Sequence, residues 1–229
     1  MFMKLKKLVL LSTLLLGLIP VSNAQMRNTA HDFTGYRRSK YNPSGEVCIV
    51  CHAPHNASTT ESPLWNHATT TQTFSVYGAS GTGFEIHFTP GQPDGDSKLC
   101  LSCHDGVTAI NSYGNGGNAP ALIDSTYIAT GGAVAPVTSV LTRSNMGTNL
   151  TDDHPVSFVY AEAMIANPSL RDTSYVTPMG HSIGKDMLDK TGKVQCTSCH
   201  DPHLNTTTHD YYLKFTNANS AMCMTCHNK

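Results

Sequence analysis

All eight cysteines of the chain fall in four copies of one five-residue pattern. The copies are Cys48-Ile49-Val50-Cys51-His52, Cys100-Leu101-Ser102-Cys103-His104, Cys196-Thr197-Ser198-Cys199-His200 and Cys223-Met224-Thr225-Cys226-His227. Two thiols three positions apart on a helical turn reach the two vinyl groups along one porphyrin edge, and the histidine that follows lies over the ring and binds its iron. C-x-x-C pairs alone also mark zinc sites and redox disulfides. Two zinc ribbons (48/51 with 100/103, and 196/199 with 223/226) or four short disulfide loops account for the cysteines but leave the histidines unexplained. With 12 His in 229 residues, four placements directly after four C-x-x-C pairs arise by chance on the order of once in a hundred thousand. The pattern therefore implies four covalently attached haem c groups, and a fold made to wrap them.

The N-terminus reads as a secretory signal. Lys4, Lys6 and Lys7 precede a twelve-residue apolar run from Leu8 to Ile19, and Ser22-Asn23-Ala24 supplies small residues for cleavage, so residues 1–24 are expected to be removed. The run is shorter than the ~20 residues that span a bilayer, and the mature chain offers no other membrane span. Export suits the chemistry, because c-type haem is attached outside the bacterial cytoplasm. The whole chain carries 15 Lys+Arg against 16 Asp+Glu. Without the three signal lysines the balance is 12 against 16, or −4. That acidity excludes a nucleic-acid stripe and adhesion to anionic lipid.

Apolar residues are scattered, with a single Trp and few amphipathic runs. The expected fold is a multihaem c-type cytochrome, mostly coil with a few short helices and minimal strand, in which the haems are the core. Without them the chain should be largely unfolded. Short helices are expected at each motif and from about Phe158 to Ala166, ended by Asn167-Pro168. Val76-Tyr77 and Phe84 to Phe88 alternate as short strands do.

Two segments repeat: Cys48 to His55 and Cys196 to His203 both read C-x-x-C-H-x-P-H, each followed by a simpler motif. The mature chain, 25–229, is thus expected to be a single tetrahaem domain of two loosely repeated dihaem halves, about 25–110 and 151–229. A Gly/Ala/Thr/Asn-rich segment, 111–150, joins them.

Eight further histidines could supply sixth ligands: His31, His55, His67, His87, His154, His181, His203 and His209. A bis-His iron is saturated and suits electron transfer; an enzyme haem needs an open position. His55 and His203, each just past a proline, are expected to cross to the neighbouring haems, those of Cys100/Cys103 and Cys223/Cys226. His31 and His154 are assigned to the first and third haems, with which goes where left open. His67, His87, His181 and His209 read as surface or hydrogen-bonded side chains. Met146, Met164, Met179 and Met187 read as packing residues.

The succession of His-Asp-Phe, Cys-Ile-Val-Cys-His-Ala-Pro-His, Cys-Leu-Ser-Cys-His-Asp-Gly, Asp-His-Pro-Val, Cys-Thr-Ser-Cys-His-Asp-Pro-His and Cys-Met-Thr-Cys-His-Asn-Lys resembles the doubled-CxxCH cytochromes of metal-respiring bacteria. With four motifs and about 205 mature residues it is most similar to the tetrahaem extracellular filament subunits of the OmcE type. The resemblance implies a head-to-tail homopolymer with a continuous haem chain. It implies long-range electron transfer to an extracellular acceptor such as a metal oxide, fed by periplasmic or outer-membrane cytochromes. It also suggests His31 as a ligand that crosses to a neighbouring subunit. A soluble periplasmic tetrahaem shuttle is the alternative function. A multihaem reductase is a third reading, opposed by the surplus of histidines.

Overall fold

The computed structural model describes residues 26–34, 45–61, 64–78, 90–108, 110, 112–114, 144–204 and 210–228. The signal sequence, His87, His209, the Phe84 to Phe88 strand, and residue 111 and residues 115–143 of the 111–150 joining segment lie outside the described residues.

Regular structure among the described residues is sparse, as the dispersed apolar residues predict. Five α-helices occur among the described residues: α1 (Gly95–His104), α2 (Tyr160–Ala166), α3 (Ile183–Asp186), α4 (Cys196–Cys199) and α5 (Ala221–Cys226). Strands of two residues form two small ladders. β1 (Ser75–Val76) runs parallel to β2 (Asn149–Leu150), and β3 (Phe158–Val159) antiparallel to β4 (Lys193–Val194). Two-residue ladders carry too few hydrogen bonds to stand alone, so the chain depends on other restraints.

The second, third and fourth motifs sit on α1, α4 and α5. The first departs from expectation. Residues 47–51 form a turn, closed by one helical bond in which the His52 amide donates to the Cys48 carbonyl at 2.8 Å. Ile49 and Val50 are β-branched, which disfavours helix, and Gly45 has a φ of +74° just before them. α2 begins at Tyr160, because Phe158 and Val159 are drawn into the ladder with Val194 and Lys193. It ends where Asn167 leaves the helical region ahead of Pro168.

Small side-chain clusters flank the motifs. Tyr160, Ile183, Met187, Val194, Phe215 and Met222 pack in the second half, with Cys199 and Cys226 against them. Phe33, Val50, Ile110 and Tyr113 pack around the first motif, and Phe74, Leu101 and Leu150 beside α1. Met187 is buried and Met164 packs against the first cluster. Met146 and Met179 are exposed, contrary to expectation. No helix among the described residues is long and apolar enough to cross a membrane.

Candidate haem-attachment sites

Each motif is anchored by local bonds that present its cysteines and histidine together. At the first, Asn66 clamps the turn: its amide N–H donates to the Cys51 carbonyl at 2.9 Å and its side chain donates to the Ile49 carbonyl. Trp65 walls this site, its ring 6.3 Å from that of His52. At the second, Asp105 accepts bonds from the Thr70 hydroxyl (2.6 Å), the Val107 and Thr108 amides (both 2.8 Å) and the Thr108 hydroxyl (2.7 Å). Burial opposes its charge, but these bonds outweigh burial and keep its carboxyl below the usual range. At the fourth, the Asn217 side chain accepts from the Met222 amide at 3.1 Å, and Arg171 Nε donates to the Met224 carbonyl at 3.1 Å.

None of the eight cysteines is joined to another in a disulfide. Burial, helped by the nearby Cys103 and Cys48, pushes Cys51 up to about 12. Burial does the same to Cys103, also to about 12, and takes Cys199 to about 11 with Cys226 and Cys223 close by. Cys100 and Cys196 hydrogen-bond one another, which raises Cys100 and lowers Cys196. Thiols of successive motifs are thus neighbours: Cys51 with Cys103, Cys100 with Cys196, and Cys199 with Cys226.

Three pairs of imidazoles face one another. His31 and His104 have centroids 6.1 Å apart with planes at 89°; His52 and His203, 6.2 Å and 19°; His154 and His227, 6.4 Å and 77°. Two imidazoles on opposite faces of one metal, each about 2.0 Å from it, put their centroids about 6.3 Å apart. At three of the six paired imidazoles, and at His200, the tautomer is set by an acceptor at Nδ1. Nδ1 of His104 faces the Ser144 carbonyl; that of His154 the Pro155 carbonyl at 2.9 Å; that of His200 the Tyr211 carbonyl at 2.8 Å; that of His203 the Asp201 carboxylate at 3.0 Å. An acceptor at Nδ1 holds the proton there and turns the Nε2 lone pair outward as a donor to metal. The Asp201 bond also raises the His203 pKa above its usual value.

The donor set therefore fits haem. Among the described residues no three His, Cys, Asp or Glu are grouped to share a metal ion, so the thiols do not converge as two zinc ribbons would. Pairs of opposed imidazoles suit a ring that brings four nitrogens of its own.

The pairing differs from the sequence assignment. His203 faces His52 of the first motif, not His227 of the fourth. His154 faces His227, not His200, and His31 faces His104, not His52. Both His31 and His104 belong to one chain, and His31 also stacks on Tyr212 at 4.6 Å. Of these placements only His52 with His203 joins the two halves; the other two bring together residues more than 70 positions apart within one half, which motif spacing does not encode. His55 is exposed and is not brought against His104, and no imidazole among the described residues faces His200. His67 is buried, with Nδ1 2.8 Å from the Ala68 carbonyl and Nε2 3.0 Å from the Ile110 carbonyl, so both nitrogens are occupied. His181 binds Asp186 at 3.1 Å.

Sequence reasoning passed over Asn66, Trp65, Gln195 and the two aspartates. Asp105 and Asp201 each directly follow a motif histidine, a recurrence that could have singled them out.

A family model described as the doubled CXXCH motif matches residues 190–229, the span of the third and fourth motifs. No curated protein matches the chain. Residues 190–229 are thus similar to the paired CxxCH segments of multihaem c-type cytochromes, which bind haem c covalently.

Proposed function

We propose that this chain is a tetrahaem conductor: four haem c groups held at Cys48/Cys51, Cys100/Cys103, Cys196/Cys199 and Cys223/Cys226, passing electrons along a polymer of the chain outside the cell. The observation that carries the reading is the set of three imidazole pairs at 6.1, 6.2 and 6.4 Å. Haem, when bound, supplies the one-electron couple. The chain supplies the rest. His52, His104, His200 and His227 are the proximal ligands. His203, His31 and His154 are the distal ligands of the first, second and fourth sites. His55 is retained as the candidate for the third. At the three sites with opposed imidazoles, saturated ligation would leave no open position for a substrate, which favours electron transfer over catalysis. The acceptors at Nδ1 fix ring orientation, and Trp65 with the small apolar clusters keeps water from the ring edges.

The filament reading is supported by the resemblance to extracellular filament subunits and by the interaction between thiols of successive motifs, which would place the haems in series. Mature protein from the cell exterior, viewed by electron microscopy after haem staining, tests it. Filaments with haem throughout support it. Discrete monomers recovered from the periplasm replace it with the soluble shuttle.

A further inference from the structure

The junction between the two halves is built around one amide. α1, which carries the second motif, packs on α4, which carries the third, and the Cys100 and Cys196 thiols interact across the contact. Gln195 precedes Cys196 and is 2 % exposed. Its Oε1 accepts from the Ser97 hydroxyl, the Ser97 amide at 3.3 Å and the Ser157 hydroxyl at 3.1 Å. Its Nε2 donates to Asp94 at 3.1 Å and to Asp189 at 3.0 Å. Every polar valence of the side chain is used. The Ser97 hydroxyl, itself fully buried, also accepts from the Cys196 amide at 3.0 Å, so one short relay runs from the amide to the third motif's first cysteine. Thr197 adds a bond to Asp96 at 2.7 Å. The backbone has made room: a Cβ at Gly95 would lie 3.0 Å from Gln195 Nε2.

We infer that Gln195 is a positioning residue that locks the second and third attachment sites against each other, and so sets the gap between the second and third haems. The inference rests on the haem reading above. A network of this kind rigidifies when complete and is costly when one member is missing. Gln195→Leu removes every bond while keeping the bulk. Gln195→Glu keeps the shape but places a carboxylate against Asp94 and Asp189. Both should let α1 and α4 separate.

The test uses haem-loaded protein. Intact mass gives the haem count, and electron paramagnetic resonance of the fully oxidised protein reads the magnetic interaction between neighbouring low-spin irons. The wild-type chain should show four haems and an interacting pair. Gln195→Leu and Gln195→Glu should keep four low-spin haems and lose that interaction, with the isolated low-spin signal rising to match. Ser97→Ala should lose part of it, and the loss should not add to that of Gln195→Leu, since both act through one bond. If Gln195→Leu does not accumulate with haem, Ser97→Ala alone carries the test. A variant with four haems and an undiminished interaction overturns the inference and leaves the haem reading intact. A wild-type chain without haem overturns the haem reading itself.

Discussion

Replacing Gly95 by alanine should destabilise the haem-loaded chain far more than the same change at two other glycines. Gly95 has a φ of +48°, and its Cβ would sit 3.0 Å from Gln195 Nε2 and 3.8 Å from an Asp189 carboxylate oxygen. The left-handed backbone alone costs a non-glycine residue about 1–2 kcal/mol. The tight contact costs more, because Gln195 is held by five hydrogen bonds and cannot swing aside without breaking at least one, worth about 1 kcal/mol. The expected total is about 2–3 kcal/mol. Gly192 has a φ of +77° but nothing within 4 Å of its Cβ, so only the backbone term applies. Gly91 has neither a positive φ nor a neighbour, and alanine there should be neutral or slightly stabilising. Thermal melts of the three variants, followed by far-ultraviolet circular dichroism, provide the ranking. For a chain of this size, about 2–3 kcal/mol lowers Tm by about 4–12 °C. Gly95→Ala no worse than Gly192→Ala would refute the claim that Gln195 is rigidly held.

Other outcomes follow from single contacts. His203→Ala should leave the first haem five-coordinate, seen as a high-spin fraction that binds carbon monoxide on reduction; His67→Gln, whose ring nitrogens face carbonyls, should leave all haems low-spin. Tyr160→Phe deletes the 2.8 Å bond to the Arg171 carbonyl beside the fourth motif and should cost about 1–2 kcal/mol in urea denaturation. Acid should also weaken the junction. Burial opposes the charges of Asp94 and Asp189, but bonds from Lys193, Gln195 and Thr191 outweigh it and hold both below their ordinary value of 3.8. A depressed carboxylate stabilises the fold above its unfolded pKa and loses that contribution as pH falls through the folded one. Urea midpoints should therefore be steady above about pH 5 and fall below about pH 4, less steeply in Asp189→Asn.

The four C-x-x-C-H segments were legible in the sequence, because the motif is a local pattern of five consecutive positions. The helix at Tyr160–Ala166 was legible for the same reason: its stop, Asn167-Pro168, is local. Distal pairing was not. His203 reaches His52, and His31 reaches His104, through contacts between segments more than 70 residues apart, and nothing in the spacing of a lone histidine records that. Gln195 was invisible for a related cause. A glutamine beside a motif looks like a surface residue until α1 is seen to bring Ser97 and Asp94 to it. The exposure of Met146 and Met179 shows the converse: an apolar side chain in a haem-bound chain need not face the interior when few side-chain clusters exist to receive it.

The most direct measurement is a structure of the haem-loaded chain by cryo-electron microscopy or crystallography. Four haems should appear, joined through the eight cysteines, with His52 and His203, His104 and His31, and His227 and His154 on opposite faces of three irons. Fewer than four haems, or irons whose sixth ligands are water or methionine, would contradict that arrangement.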